Sequence, residues 1–172
     1  MGDRRQQHYT TDQFVFFWGT NTPNGEFSQW HPCEFEDEDG WRYNCAEQYM
    51  MAQKARLFGD DDAFHKIMGL TSPKAIKDMG RKIRNFDQET WDKYKFDIVV
   101  KGNFLKFAQN KPLLERLVLT GGRTIAEASP VDCIWGIGMS VRDDGLLNQE
   151  NWRGENLLGK ALMEVRSQLL KG

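Results

Sequence analysis

At 172 residues the chain is sized for one domain, and 40% hydrophobic with 12% aromatic residues is enough for a core; no stretch has a disordered composition. The formal net charge of -2, without any long Lys/Arg block, excludes a broad basic face for duplex nucleic acid and leaves a local grip on one nucleotide. Cys33, Cys45 and Cys133 are odd in number and widely spaced, which argues against a disulfide framework or a zinc site and fits a reducing compartment.

The N-terminal stretch MGDRRQQHYTTDQ is polar, shows no signal peptide, and has Gln6 where myristoylation needs Ser or Thr. Residues 1–12 are expected to be a flexible arm ahead of a single domain over 13–170. No apolar run approaches the roughly 20 residues of a membrane span. The expected location is the cytoplasm, or the nucleus in a eukaryotic cell.

FVFFWG, Phe14 to Gly19, reads as a buried strand, and TNTPNGEFSQW as a loop. CEFEDEDGWRY reads as a hairpin turning at Asp39-Gly40, with Glu34, Glu36, Asp37, Glu38 and Asp39 as a solvated tip. Asn44 and Glu47 have capping-box spacing, so a helix is predicted to about Phe58, stopped by Gly59. Asp60 opens a short helix over AFHKIM, and Ser72-Pro73 opens another that stops at Gly80. Asp87 precedes a long helix from Gln88 to Ala108, with Trp91, Ile98, Phe104 and Leu105 toward its apolar side. Asn110 opens a helix through PLLERLVL, closed by Gly121. TIAEAS and CIWGIG read as short strands around the turn Pro130-Val131-Asp132, and a last helix runs from about Glu155 to Leu170. The predicted class is mainly α with a few short β-strands, an α+β fold.

Four clusters carry chemistry. Glu47 and Lys54 are two helical turns apart, about 10.5 Å along one face. Asp132 stands in a turn before Trp135 and the close pair Gly136 and Gly138, where a backbone can approach a ligand. Arg81, Lys82 and Arg84 follow the helix end at Gly80 and suit phosphate oxygens or the helix dipole. WRGEN, residues 152–156, precedes the last helix, whose N–H groups would suit an anion. Six Trp and eleven Phe supply stacking walls as well as core.

Taken in order, FFWG, FSQW, WRYNCAEQYMMAQKA, SPKAIKDMGRKIR, a Trp-containing helix, LVLTGGRTIAEASPVDCIWGIG and WRGENLLGKALMEVR resemble the NADAR (YbiA-like) family from about Gln13 to Leu170. The resemblance implies a single compact YbiA-like domain and an N-glycosidase that cuts a ribose C1–N bond. It implies removal of ADP-ribose from guanine bases or, as the alternative, hydrolysis of early riboflavin-pathway intermediates. The substrate would be an ADP-ribose-containing or ribose-phosphate nucleotide, free or as ADP-ribosylated DNA or RNA, with no cofactor and no metal. Lys54 is then the Schiff-base lysine, with Glu47 and Asp132 as catalytic carboxylates. Phe17, Trp18, Gly19, Ser28, Arg84, Trp91, Trp135 and Gly136 fall to substrate binding, with Trp18, Trp91 or Trp135 stacking on a base and Arg84 or Arg81 holding phosphate. Where the family often has Glu-His-Tyr, this chain has Glu47-Gln48-Tyr49, so His8, His31 and His65 are not expected to be catalytic. A module that binds ADP-ribose without cutting it would not need the set Lys54, Glu47 and Asp132.

The proposed chemistry needs a neutral amine. With a free-lysine pKa near 10.4, only about four in ten thousand are neutral at pH 7. Lys54 is therefore expected against aromatic rings and not tightly paired with Glu47, since burial disfavours the ammonium and a carboxylate favours it.

Overall fold

The computed structural model describes residues 6–172. It divides into two compact units, Met1–Ser28 with Leu113–Gly172, and Gln29–Pro112. The architecture is mainly α-helical with a few short strands. Of the expected N-terminal arm, residues 1–5 lie outside the described residues. Gln6–Tyr9 form a helical turn, α1, and Thr10 bridges antiparallel to Val15.

In the first unit, β1 (Phe14–Phe17) pairs in parallel with β4 (Thr124–Glu127), Phe14 opposite Thr124 and Phe17 opposite Glu127. All four β1 residues are buried, which is why FVFF shows no alternation. Helix α7 (Leu157–Lys171) packs on β4 and buries Leu158, Leu162 and Val165. Phe14, Phe16, Ala126, Ile137, Met139 and Leu146 form a core cluster, with the Trp152 ring edge-on to Phe14 at 5.7 Å.

CIWGIG, expected as a strand, is a chain of bends. Its carbonyls bond to the segment that leads into α7 and to the first residues of that helix instead of to a neighbouring strand. Ile137 O accepts from the N–H groups of Arg153 and Gly154, Cys133 O from Glu155, Gly136 O from Asn156, Ile134 O from Leu157 and Trp135 O from Leu158. Those N–H groups are therefore committed, which overturns the expectation that WRGEN offers them to an anion. The two backbones touch: a Cβ on Gly154 would lie 2.1 Å from Gly136 O and 2.8 Å from the Cys133 Cα. Backbone cannot yield as a flexible side chain can. Gly154→Ala is expected to destabilise the protein by about 3 kcal/mol, read as a lowered midpoint in urea with an unchanged slope.

In the second unit, β2 (Phe35–Glu36) pairs antiparallel with β3 (Arg42–Tyr43), and Gly40 at φ 84° makes the turn. The acidic tip is not all solvated: Asp37 is buried. Its Oδ1 accepts from the N–H groups of Asp39 and Trp41 at 3.0 and 2.9 Å, and its Oδ2 accepts from the Tyr43 hydroxyl at 2.7 Å. One carboxylate thus pins the hairpin.

Helix α2 (Ala46–Leu57) starts differently from the capping-box expectation. Its N-cap is Cys45, with no side-chain cap. Asn44 Nδ2 donates to Leu70 O, and the longer Gln48 reaches back, its Oε1 accepting from the Asn44 N–H at 2.8 Å. Gln48 Nε2 also donates to Ile67 O at 3.0 Å, so this buried amide fastens α2 to α3 (Asp61–Met68). Asp60 caps α3, Ser72 caps α4 (Pro73–Gly80) and Asp87 caps α5 (Gln88–Ala108), each accepting from the N–H three residues on. The buried side of α5 runs through Trp91, Val99, Gly102, Asn103, Lys106 and Phe107, while Ile98, Phe104 and Leu105 are only half-buried. The face is set by Tyr49, whose ring lies where a Cβ on Gly102 would be, 2.5 Å away. Asn110 Nδ2 donates to Lys106 O and Glu34 O, tying the end of α5 to the residue before β2. Helix α6 (Lys111–Leu119) follows and, from Leu113 on, belongs to the first unit.

Candidate functional site

The second unit assembles a lysine site. Helix α2 carries Glu47 in its first turn and Lys54 in its last. Lys54 Nζ donates to Gly80 O at 3.0 Å, one of the carbonyls that the end of α4 leaves without a helical partner. The same nitrogen lies 4.6 Å from the Phe86 ring centroid and 5.3 Å from that of Trp91. Phe86 and Trp91 stand at N′ and N4 around the Asp87 cap, the spacing of a hydrophobic staple.

Burial pulls the Lys54 amine below its ordinary pKa; the Glu47 charge raises it, and Arg81 adds a smaller push downward. Burial wins, so the site moves the amine in the direction a nucleophile needs. The ring faces and the Gly80 carbonyl work the other way, because both favour the ammonium. The hydrogen bond of Lys54 thus goes to a carbonyl, and Glu47 acts on it through its charge. Glu47 is 5% exposed, and its backbone N–H donates to Gln29 O at 2.9 Å.

Arg84, expected at phosphate, faces carboxylates. Its guanidinium donates to Asp60 at 3.0 Å and Asp62 at 3.2 Å, and its backbone N–H donates to Asp60 at 2.8 Å. The Arg84 guanidinium and the N–H groups of Arg84 and Ala63 hold the Asp60 carboxyl well below the usual carboxylate range. Arg81 remains a mostly exposed cation, 3.8 Å from Asp78.

The other expected site residues belong to the first unit. Asp132 Oδ1 accepts from the N–H groups of Ile134 and Trp135, both at 2.9 Å, and its own N–H donates to Ser129 Oγ at 3.0 Å. Trp135 is half-buried on that turn. Gly136 leaves no room for a side chain, since a Cβ would lie 2.8 Å from Asp132 O. Trp18 is 45% exposed and Gly19 follows at φ 76°. Phe17 is fully buried with its ring edge-on to Phe27, so its side chain packs in the core; Ser28 is buried as well. A cavity of about 550 Å³ in this unit, lined by Gln13, Thr120, Arg123 and Thr124 among others, contains none of these residues.

Sequence reading missed Phe86, Gly80 and Asp60. The staple spacing around Asp87 was the available signal for Phe86; nothing local points to a carbonyl partner for a lysine 26 residues away. Among the described residues, no group of three His, Cys, Asp or Glu is placed to hold a metal, and no helix is long and apolar enough to cross a membrane.

Fold and site together define an α-rich protein with a partly desolvated lysine between aromatic rings. The chain belongs to the NADAR domain family, whose model matches residues 16–170, across both units. It is 49% identical to N-glycosidase R617 of Acanthamoeba polyphaga mimivirus over 165 residues, 92% of this chain and 97% of that protein. It is 29% identical to N-glycosidase YbiA of Escherichia coli (strain K12) over 166 residues, 96% of this chain and 94% of that one. Riboflavin biosynthesis protein VVA0006 of Vibrio vulnificus (strain YJ016) is 27% identical over 92% of this chain and 39% of its own length. The NMR structure of the E. coli protein YbiA matches with a TM-score of 0.76 at 27% identity, covering 97% of this chain and 91% of that one.

Proposed function

We propose that this chain is an N-glycosidase that hydrolyses a ribose C1–N bond, with guanine-linked ADP-ribose as its first substrate and Lys54 as its nucleophile. The observation that carries the chemistry is Lys54 Nζ set against Phe86 and Trp91, with Glu47 on the same helix. The relatives named N-glycosidases support the reaction class.

In this reading the neutral Lys54 amine adds to C1 of the ribose. The C1–N bond breaks and the base leaves with a proton delivered by a carboxylic acid. The sugar ring opens as the imine forms. Water then adds to the imine carbon, with Glu47 as general base, and the amine departs. The net change is one water consumed, the sugar released as free ADP-ribose and the guanine left with its N–H restored. Trp91, beside Lys54, stacks on the base.

A second substrate reading is an early riboflavin-pathway intermediate, favoured by the match to the Vibrio vulnificus riboflavin biosynthesis protein. The pure protein is incubated with each substrate and product release is followed by chromatography. Release of free ADP-ribose from an ADP-ribosylated guanine oligonucleotide or nucleoside, leaving the guanine in place, supports the first reading. Release from the riboflavin intermediate alone replaces it, and release from neither ends the proposed activity.

The Lys54 environment also sets a pH dependence. The ammonium is inert and the amine reacts, so kcat/KM should rise with pH and level off at the folded pKa of Lys54, below that of an ordinary lysine. An acid limb that levels off only in the ordinary lysine range removes this role for burial.

A further inference from the structure

The segment between α4 and α5, residues 81–87, is short and polar, yet it is fastened along its length. Asp60, buried at the start of α3, takes both the backbone N–H and the guanidinium of Arg84. Asn85 then adopts φ 62°, a left-handed conformation that costs a non-glycine residue energy and sharply turns the chain. Asp87 caps α5. Between these fixed points stands Phe86, 42% exposed, its ring edge-on to Phe58 at 5.3 Å between centroids. A ring left so exposed contributes little as core. What it does cover is Lys54 Nζ.

We propose that Phe86 is a positioning residue for Lys54: the Asp60–Arg84 clamp holds its ring over the amine and keeps water off it. The catalytic consequence rests on the reading of Lys54 as nucleophile; the placement of the amine does not. Arg84 accordingly serves the loop and not a phosphate group. The groups acting on the amine are the Glu47 charge from α2, the Arg81 charge and Gly80 carbonyl at the end of α4, and the rings of Phe86 and Trp91.

The two effects of the ring have opposite signs, which makes them separable. Excluding water disfavours the ammonium; the π face favours it. The probe is trinitrobenzenesulfonate, which labels neutral amines, applied to the full chain across pH with Lys54 modification quantified by peptide mass spectrometry. In the wild type, Lys54 should reach half-maximal labelling at lower pH than the exposed lysines of the same protein. Phe86→Ala admits water and should move that midpoint up by about one pH unit, and Phe86→Tyr should restore it. Arg84→Ala, which loosens the clamp from a distance, should move it the same way as Phe86→Ala. Phe86→Leu keeps an apolar cover without a π face and should leave the midpoint at or below the wild-type value.

An unchanged midpoint in a folded Phe86→Ala protein overturns the inference, as does Phe86→Leu behaving like Phe86→Ala. Should Phe86→Ala fail to fold by circular dichroism, Arg84→Ala decides alone: an unmoved midpoint there overturns it. Midpoints that shift as stated in a protein that cleaves no C1–N bond overturn the proposed activity and leave this inference standing. Cleavage with immobile midpoints does the reverse.

Discussion

Lys54→Ala is expected to reduce kcat/KM for C1–N cleavage on the order of 10³-fold or more, while leaving the fold intact. A thousandfold loss corresponds to about 4 kcal/mol of transition-state stabilisation. The structural cost is smaller. Lys54 is half-buried, and its removal leaves one carbonyl, Gly80 O, without the amine that bonds it. Gly80 is buried, so the unpaired carbonyl costs about 1–3 kcal/mol. The sharper variant is Lys54→Arg. A guanidinium keeps the positive charge over Phe86 and Trp91 and can still donate to Gly80 O, but it does not deprotonate near neutral pH. It should fold like the wild type and be as inactive as the alanine variant. Borohydride added during turnover should leave a reduced sugar adduct on the tryptic peptide containing Lys54, and on no peptide of the arginine variant. If Lys54→Arg retained a tenth or more of the wild-type rate, the covalent role of this residue would be lost.

The elements legible in the sequence are those specified by a single local bond. Asp60, Ser72 and Asp87 each cap the helix they were expected to open, because a short side chain accepting from the N–H three residues on needs no tertiary partner. Illegible elements depend on distant backbone. CIWGIG has the composition of a strand, but its carbonyls are taken by residues 153–158, and the close approach is set by Gly136 and Gly154 together. The α2 start was misread because Gln48, one residue beyond the expected capping partner, has the reach to bond both Asn44 and α3. Asp37 looked like one solvated acid among five; its burial follows from a tyrosine hydroxyl six residues on. For the site, spacing alone put Glu47 and Lys54 on one helix face, and the structure adds the rings that flank Lys54. The pairing of Arg84 with Asp60 could not be read locally, since its two members are 24 residues apart.

Glu47→Gln should separate two effects that one carboxylate exerts on Lys54. Glutamine has nearly the same size, and the bond from residue 47 to Gln29 O is made by the backbone N–H, so it survives the substitution. What is lost is a buried charge and a proton acceptor. Loss of the charge removes the influence that raises the Lys54 pKa against burial. The acid limb of kcat/KM should therefore shift to lower pH, so that at neutral pH a larger share of the amine is free to attack. Were charge the whole contribution of Glu47, the variant would be faster than the wild type below the limb. Loss of a general base instead costs on the order of 10²–10⁴-fold in kcat. That penalty exceeds the gain from a shift of one pH unit, which is tenfold at most. The expected result is a slower enzyme at every pH whose profile is displaced toward acid. Full pH profiles of kcat and kcat/KM test both parts: an unmoved limb removes the electrostatic coupling between the two residues, and an unchanged plateau removes Glu47 from the proton transfers.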